Sequence, residues 1–160
     1  MIFVTLGSQK YQFNRLLAAI DDLIEKGYVH EDVFAQVGYS DYQPKHFRYK
    51  QFLNADEFED YLSQCDLMIA HAGTGTIVKA VKKGKKVIVA PRLQKYREHE
   101  DNHQQEIAEM FKGMGMICVC EDFNDLPWMI EQAKAMQYEP YVSNTQRIIE
   151  SIEDYIQRET

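Results

Sequence analysis

Short apolar runs alternate with amphipathic stretches along almost the whole chain. Met1–Leu6 is apolar, carries β-branched residues and stops at Gly7-Ser8, which predicts a buried strand. Phe13–Lys26 sets Phe13, Leu16, Leu17, Ile20, Leu23 and Ile24 at helical spacing, closed by Gly27. Val33–Val37 predicts a second strand ended at Gly38, Tyr39–Lys45 a loop, and Phe47, Tyr49 and Phe52 a short strand-like segment. Asn54 followed by Glu57 forms a capping box that opens a helix to about Gln64. Leu67–Ala70 predicts a strand, Ile77–Lys83 a helix stopped by Gly84, and Val87–Ala90 a strand ended by Pro91. Arg92–Glu100 is a charged loop. Asp101 then caps a helix whose Ile107, Ala108, Met110 and Phe111 face inward, ending near Gly113. Met116–Val119 predicts the last strand, and helices over about Asn124–Gln137 and Thr145–Gln157 finish the chain.

Strands that alternate with helices imply a mostly parallel sheet covered on both faces, a doubly wound, Rossmann-like α/β fold. A length of 160 residues suits a single domain over 1–160. In such folds ligands bind beyond the carboxyl ends of strands. Three loops there have suitable chemistry: Gly7–Gln12, His71–Thr76 and Arg92–Gln104.

Composition narrows the picture. With 18 Lys and Arg against 25 Asp and Glu, the net charge of −7 argues against a general nucleic-acid binder, whose footprint is a basic face. Local basic patches remain at Lys79, Lys82, Lys83, Lys85 and Lys86, and at Lys45, His46, Arg48 and Lys50; solvated surface is the simpler account of both. No run approaches the ~18 apolar residues of a membrane span, and no basic run precedes the first apolar residues. The expected location is therefore the cytoplasm. Cys65, Cys118 and Cys120 lack metal-ligand spacing, which suits a reducing compartment; Cys118 and Cys120 share one strand face and belong to the core.

The strand–turn–helix piece Leu67–Thr76 carries the strongest chemistry. Gly73 and Gly75 let the backbone approach a ligand, the helix start offers free N–H groups, and His71, Thr74 and Thr76 add donors. This suits a diphosphate, although a plain tight turn has the same local pattern. Val78 replaces the third glycine of the dinucleotide fingerprint, and no Gly-Lys-Ser/Thr ending follows, so neither a nicotinamide dehydrogenase nor a P-loop NTPase fits. His99-Glu100-Asp101-Asn102-His103 satisfies the H-E-x-x-H zinc pattern. Asp-Asn between the histidines favours a helix start over a helix interior, and no third ligand is evident, so a zinc hydrolase is a rival and no metal site is expected.

Taken in order, Phe3–Ser8, His71–Thr76 and Asp101–Gln104 resemble the glycosyltransferase family 28 C-terminal domain over roughly Met1–Cys120. The stretch Pro91–His99 is similar to the PssE/EpsE-type subunits of capsule and exopolysaccharide synthesis; the small subunit of the eukaryotic lipid-linked UDP-GlcNAc transferase is a more distant likeness. The resemblance implies one half of a GT-B fold that holds a UDP-sugar. It implies Gly7 and Ser8 near the diphosphate, His71 facing the phosphates, Gly73, Thr74, Gly75 and Thr76 cradling them, and Asp101 and Gln104 near the donor sugar hydroxyls. Glu98 and His99 are the local candidates for a catalytic base, unless the base lies on a partner. Relatives usually carry a Glu three residues after the last Thr of the turn, where this chain has Lys79, which cannot accept a ribose hydrogen bond.

The implied reaction is inverting transfer of a sugar from UDP to a lipid-diphosphate-linked saccharide, with no cofactor. The implied partner is an acceptor-binding, membrane-associated PssD/EpsD-like subunit that would bring the chain to the inner face of the cell membrane. The alternative is a non-catalytic UDP-sugar-binding or partner-stabilising module, which Lys79 keeps open.

Overall fold

The computed structural model describes residues 1–138 and, beyond them, Arg147, Glu150, Ser151, Ile152 and Asp154. Apart from those five, the helix expected over Thr145–Gln157 lies outside the described residues. In chain order the elements are β1 (Ile2–Thr5), α1 (Asn14–Glu25), β2 (Val33–Gln36), β3 (Arg48–Lys50), α2 (Ala55–Gln64), β4 (Leu67–Ala70), α3 (Thr74–Lys82), β5 (Lys86–Val89), α4 (His103–Gly113), β6 (Cys118–Val119) and α5 (Leu126–Ala135). Short 3₁₀ turns at Gln94–Tyr96 and Phe123–Asp125 interrupt the loops before α4 and α5.

The six strands form one sheet in the order β3-β2-β1-β4-β5-β6, and each neighbouring pair is parallel. This is the doubly wound Rossmann-like arrangement that the alternating pattern implies. Period-2 alternation splits the strand side chains between two layers. Ile2, Val4, Leu67, Ile69, Ile88 and Cys118 pack with α1 and α5. Phe3, Met68, Ala70, Val87 and Val89 pack with α2, α3 and α4. Cys118 and Cys120 both fall in the first layer, as strand geometry requires of residues two apart.

The chain leaves β1 toward β2 and β3, then returns past β1 to β4, so the direction of winding reverses between β1 and β4. The register pairs Thr5 with Ala70. The loops after these strands, Gly7 and His71, therefore meet at the point where open α/β sheets form their ligand crevice.

Two features near the crevice differ from expectation. The helix expected from Ile77 begins at Thr74, because Gly73 in an extended conformation serves as its N-cap and the first turn needs no apolar residue. The charged stretch Arg92–Glu100 is not simply solvated: Arg92, Leu93 and Glu98 are buried within it.

Candidate functional site

His71 sits at the carboxyl end of β4 and is 4% exposed. Its ring lies between two glycines. A Cβ on Gly7 would overlap Nε2 and stand 2.7 Å from Cε1, and a Cβ on Gly73 would stand 2.6 Å from both atoms. Gly7 also adopts φ +71°, a left-handed conformation that favours glycine. Both glycines are thus required by the imidazole. Gly75 is different: a Cβ there meets nothing within 4 Å, so the space above the first turn of α3 is open.

That turn has no side-chain cap and no acidic residue, so the N–H groups of Thr74, Gly75 and Thr76 have no intrahelical partner. Thr74 and Thr76 are half-buried, while Ser8 is exposed on the neighbouring loop. Lys79, one turn further on, is exposed, with Nζ 5.3 Å from the centre of the Phe58 ring.

Beneath these loops lies a buried polar network. Arg92 is 1% exposed and donates through its guanidinium to the carbonyls of Leu6, Tyr11, Gln12 and Glu98, which ties the loops after β1 and β5 together. Glu98, equally buried, accepts both Nε and NH2 of Arg15 at 3.0 Å and the N–H of Leu93 at 3.0 Å. Arg15 pairs with this buried carboxylate, while Arg92 bonds the Glu98 main-chain carbonyl and feels the carboxylate through its charge. Burial lowers the Arg92 pKa to about 10, partly offset by Glu98, so it stays protonated at neutral pH. The floor of the crevice therefore carries a positive bias that favours an anion above it. Burial, followed by the charges of Arg92 and His99, pushes His71 down to about 3. Its ring is neutral under physiological conditions, so what it can offer an anion is a hydrogen bond and not a positive charge.

The expected site residues are not all placed alike. Gly7, His71, Gly73, Thr74, Gly75 and Thr76 converge on one crevice. Gln104 touches it from below: it is 2% exposed and bridges Ala72, Arg92 and His71. Asp101 lies beside His99, accepting from His99 Nδ1 at 3.0 Å and from the His103 N–H at 3.0 Å; it was expected to cap α4, but the N-cap is Asn102, one residue on. Glu98 was expected as a candidate base, but the structure commits its carboxylate to Arg15 and Leu93 rather than turning it toward solvent. The H-E-x-x-H pattern also resolves: His99 is in a loop and His103 is the first residue of α4, so the two do not share a helical face. Among the described residues, no group of three or more His, Cys, Asp or Glu is placed to hold a metal ion.

Sequence reasoning missed Arg92 and Arg15, since nothing local distinguishes a buried arginine from its solvated neighbours in a charged stretch. It also missed Tyr39 and Phe52, an exposed edge-to-face pair with ring centres 5.2 Å apart. The Gly38 N–H bonds Gln51 O at 2.8 Å, and a Cβ on Gly38 would stand 2.8 Å from the Gly7 carbonyl. The aromatic pair therefore flanks the crevice. Its sequence signal was only a pair of aromatics next to turn residues.

Comparison with known proteins places the chain in a family. The model of the glycosyltransferase family 28 C-terminal domain matches residues 1–158. The mouse UDP-N-acetylglucosamine transferase subunit ALG13 is 31% identical over 129 residues, covering 74% of this chain and 10% of its own length. The Saccharomyces cerevisiae protein of that name is 40% identical over 55 residues, covering 34% of this chain and 25% of its own. The chain thus spans from a tenth to about a third of the curated relatives it matches. An NMR structure of ALG13 superposes with TM-score 0.58 at 20% identity, covering 91% of each chain. The glycosyltransferase of kitacinnamycin superposes with TM-score 0.62 at 14% identity, covering 98% of this chain and 39% of that one. These last two likenesses are of fold. The relatives are eukaryotic subunits, the likeness that the sequence had ranked second behind the capsule-type subunits.

Proposed function

Because the chain belongs to the glycosyltransferase family 28 C-terminal domain family, we propose that it is the donor-binding half of a UDP-sugar transferase and works with a second, acceptor-binding subunit. The observation that carries this reading is the His71 imidazole held between Gly7 and Gly73 beside the uncapped start of α3. A diphosphate laid over Gly75 would accept from the first-turn N–H groups, the threonine hydroxyls and His71 Nε2. The exposed faces of Tyr39 and Phe52 give the uracil a surface to stack on.

In a direct displacement, the acceptor hydroxyl attacks the anomeric carbon, its proton goes to a base, and UDP departs with the negative charge. Fixed donors aimed at that charge lower the barrier. The α3 dipole and His71 are so aimed, and the buried Arg92 adds its charge from beneath. The base belongs to the partner or to His99, whose Nδ1 is held by Asp101 and whose Nε2 is then the ring nitrogen left for a proton. Asp101 acts here by positioning His99.

Transfer to a lipid-diphosphate-linked saccharide at the inner face of the membrane follows from the same reading. Among the described residues no helix is long and apolar enough to cross a membrane, so membrane attachment falls to the partner. A capsule or exopolysaccharide product rests on the Pro91–His99 stretch; N-acetylglucosamine as the sugar rests on the names of the relatives. Titration with UDP by calorimetry tests donor binding: wild type should bind, and His71→Gln should bind at least about tenfold more weakly. Equal affinities would reject the role of His71. A screen of UDP-sugars with the co-purified partner and membranes then identifies donor and product.

A further inference from the structure

Gln104 was expected to contact the donor sugar. Its surroundings give it another task. The side-chain oxygen accepts two buried backbone N–H groups, from Ala72 at 3.1 Å and from Arg92 at 3.0 Å. Only the oxygen of an amide can accept, so these two bonds fix which way the amide faces. The Nε2 group is thereby aimed at His71 Nδ1, 3.3 Å away, with Gln9 Oε1 beyond at 3.5 Å. An amide nitrogen can only donate, so Nδ1 must be the bare, accepting nitrogen of the ring. The single proton of a neutral imidazole then resides on Nε2. Nε2 faces the gap between Gly7 and Gly73.

We propose that Gln104 is a positioning residue that sets the tautomer of His71, holding the proton on Nε2 so that the ring presents a donor to the anionic oxygens of a nucleoside diphosphate. Two main-chain groups at the ends of β4 and β5 determine the amide, the amide determines the imidazole, and the imidazole offers N–H to the ligand. The anion-binding part of this inference rests on the donor-binding reading above; the tautomer does not.

The test is nitrogen-15 NMR of the histidine rings, with His71 assigned by comparison with His71→Gln, alongside titration with uridine diphosphate. Wild type should show His71 protonated at Nε2 and bare at Nδ1. In Gln104→Glu the new carboxylate still accepts from Ala72 and Arg92, but its second oxygen faces Nδ1 and demands a proton there. His71 should then show a protonated Nδ1, and affinity for uridine diphosphate should fall at least tenfold with the thermal transition retained. A general packing defect would not move the proton between ring nitrogens. Wild-type His71 protonated at Nδ1, or unchanged ring signals in Gln104→Glu, would overturn the proposal, and the wild-type spectrum decides even if the variant does not fold. If wild type shows the Nε2 proton yet binds no uridine diphosphate, the donor-binding reading fails while the tautomer assignment stands.

Discussion

Two helices begin at the same edge of the sheet and face the same layer, yet their ends are built in opposite ways. At α2, Asn54 Oδ1 accepts from the Glu57 N–H at 2.8 Å, Glu57 Oε1 accepts from the Asn54 N–H at 3.2 Å, and the first turn carries Asp56 and Glu57. Its donors and dipole are satisfied from within. At α3 the N-cap is Gly73, which has no side chain, the first turn has no acid, and Lys79 and Lys82 follow in the last turn. Glycine in place of a capping side chain typically costs only a few tenths of a kcal/mol. The fold tolerates that cost at the crevice, where the positive end of α3, the His71 ring and the buried Arg92 charge lie together. The contrast shows that an uncapped helix end is informative when the surrounding residues share its sign.

The hardest way to break the contrast is to fill the imidazole slot. Gly7→Ala forces a left-handed conformation on a residue with Cβ and drives that Cβ into the ring of His71. It should cost about 2–4 kcal/mol in denaturant unfolding and remove uridine diphosphate binding. Next, Thr76→Asp gives α3 the acid it lacks. Unfolding should show it more stable by about 0.5 kcal/mol, while calorimetry shows affinity for uridine diphosphate at least tenfold lower. The reverse experiment is Asn54→Ala, which strips the capping box. It should destabilise by about 1 kcal/mol and leave the affinity unchanged.

The smallest expected effect is a null one. His71 is held at about 3, far below the 6.5 of a free imidazole, so it stays neutral as the pH falls through 6. The affinity ratio between wild type and His71→Gln should therefore be the same at pH 8 and at pH 5.5; a ratio that grows on acidification would mean that His71 binds as a cation. Stability, unlike that ratio, depends on pH. A histidine with a depressed folded pKa contributes fully above its unfolded value, and that contribution is lost as the pH falls from about 6.5 toward the folded value of about 3. Asp21 adds to the acid sensitivity lower down. Burial raises its pKa, but the Lys45 N–H, the Tyr42 hydroxyl and His46 together hold it below the usual aspartate range. Its stabilisation is present above that range and disappears as the pH falls through its folded value.

Periodicity and punctuation alone determined the order of elements, the doubly wound class and the glycine turn after β4, because these signals are local: a strand alternates every second residue, a helix every 3.6, and glycine marks where a Cβ cannot be carried. The capping box of α2 was legible for the same reason. The crevice was not. That Gly7 meets His71 follows from the reversal of strand order between β1 and β4, which joins loops more than sixty residues apart. That Arg92 and Glu98 are buried and Gln104 faces inward follows from which backbone groups those loops leave unpaired once packed. A polar side chain is drawn inside by partners that exist only after folding, so no pattern in the neighbouring residues foretells it.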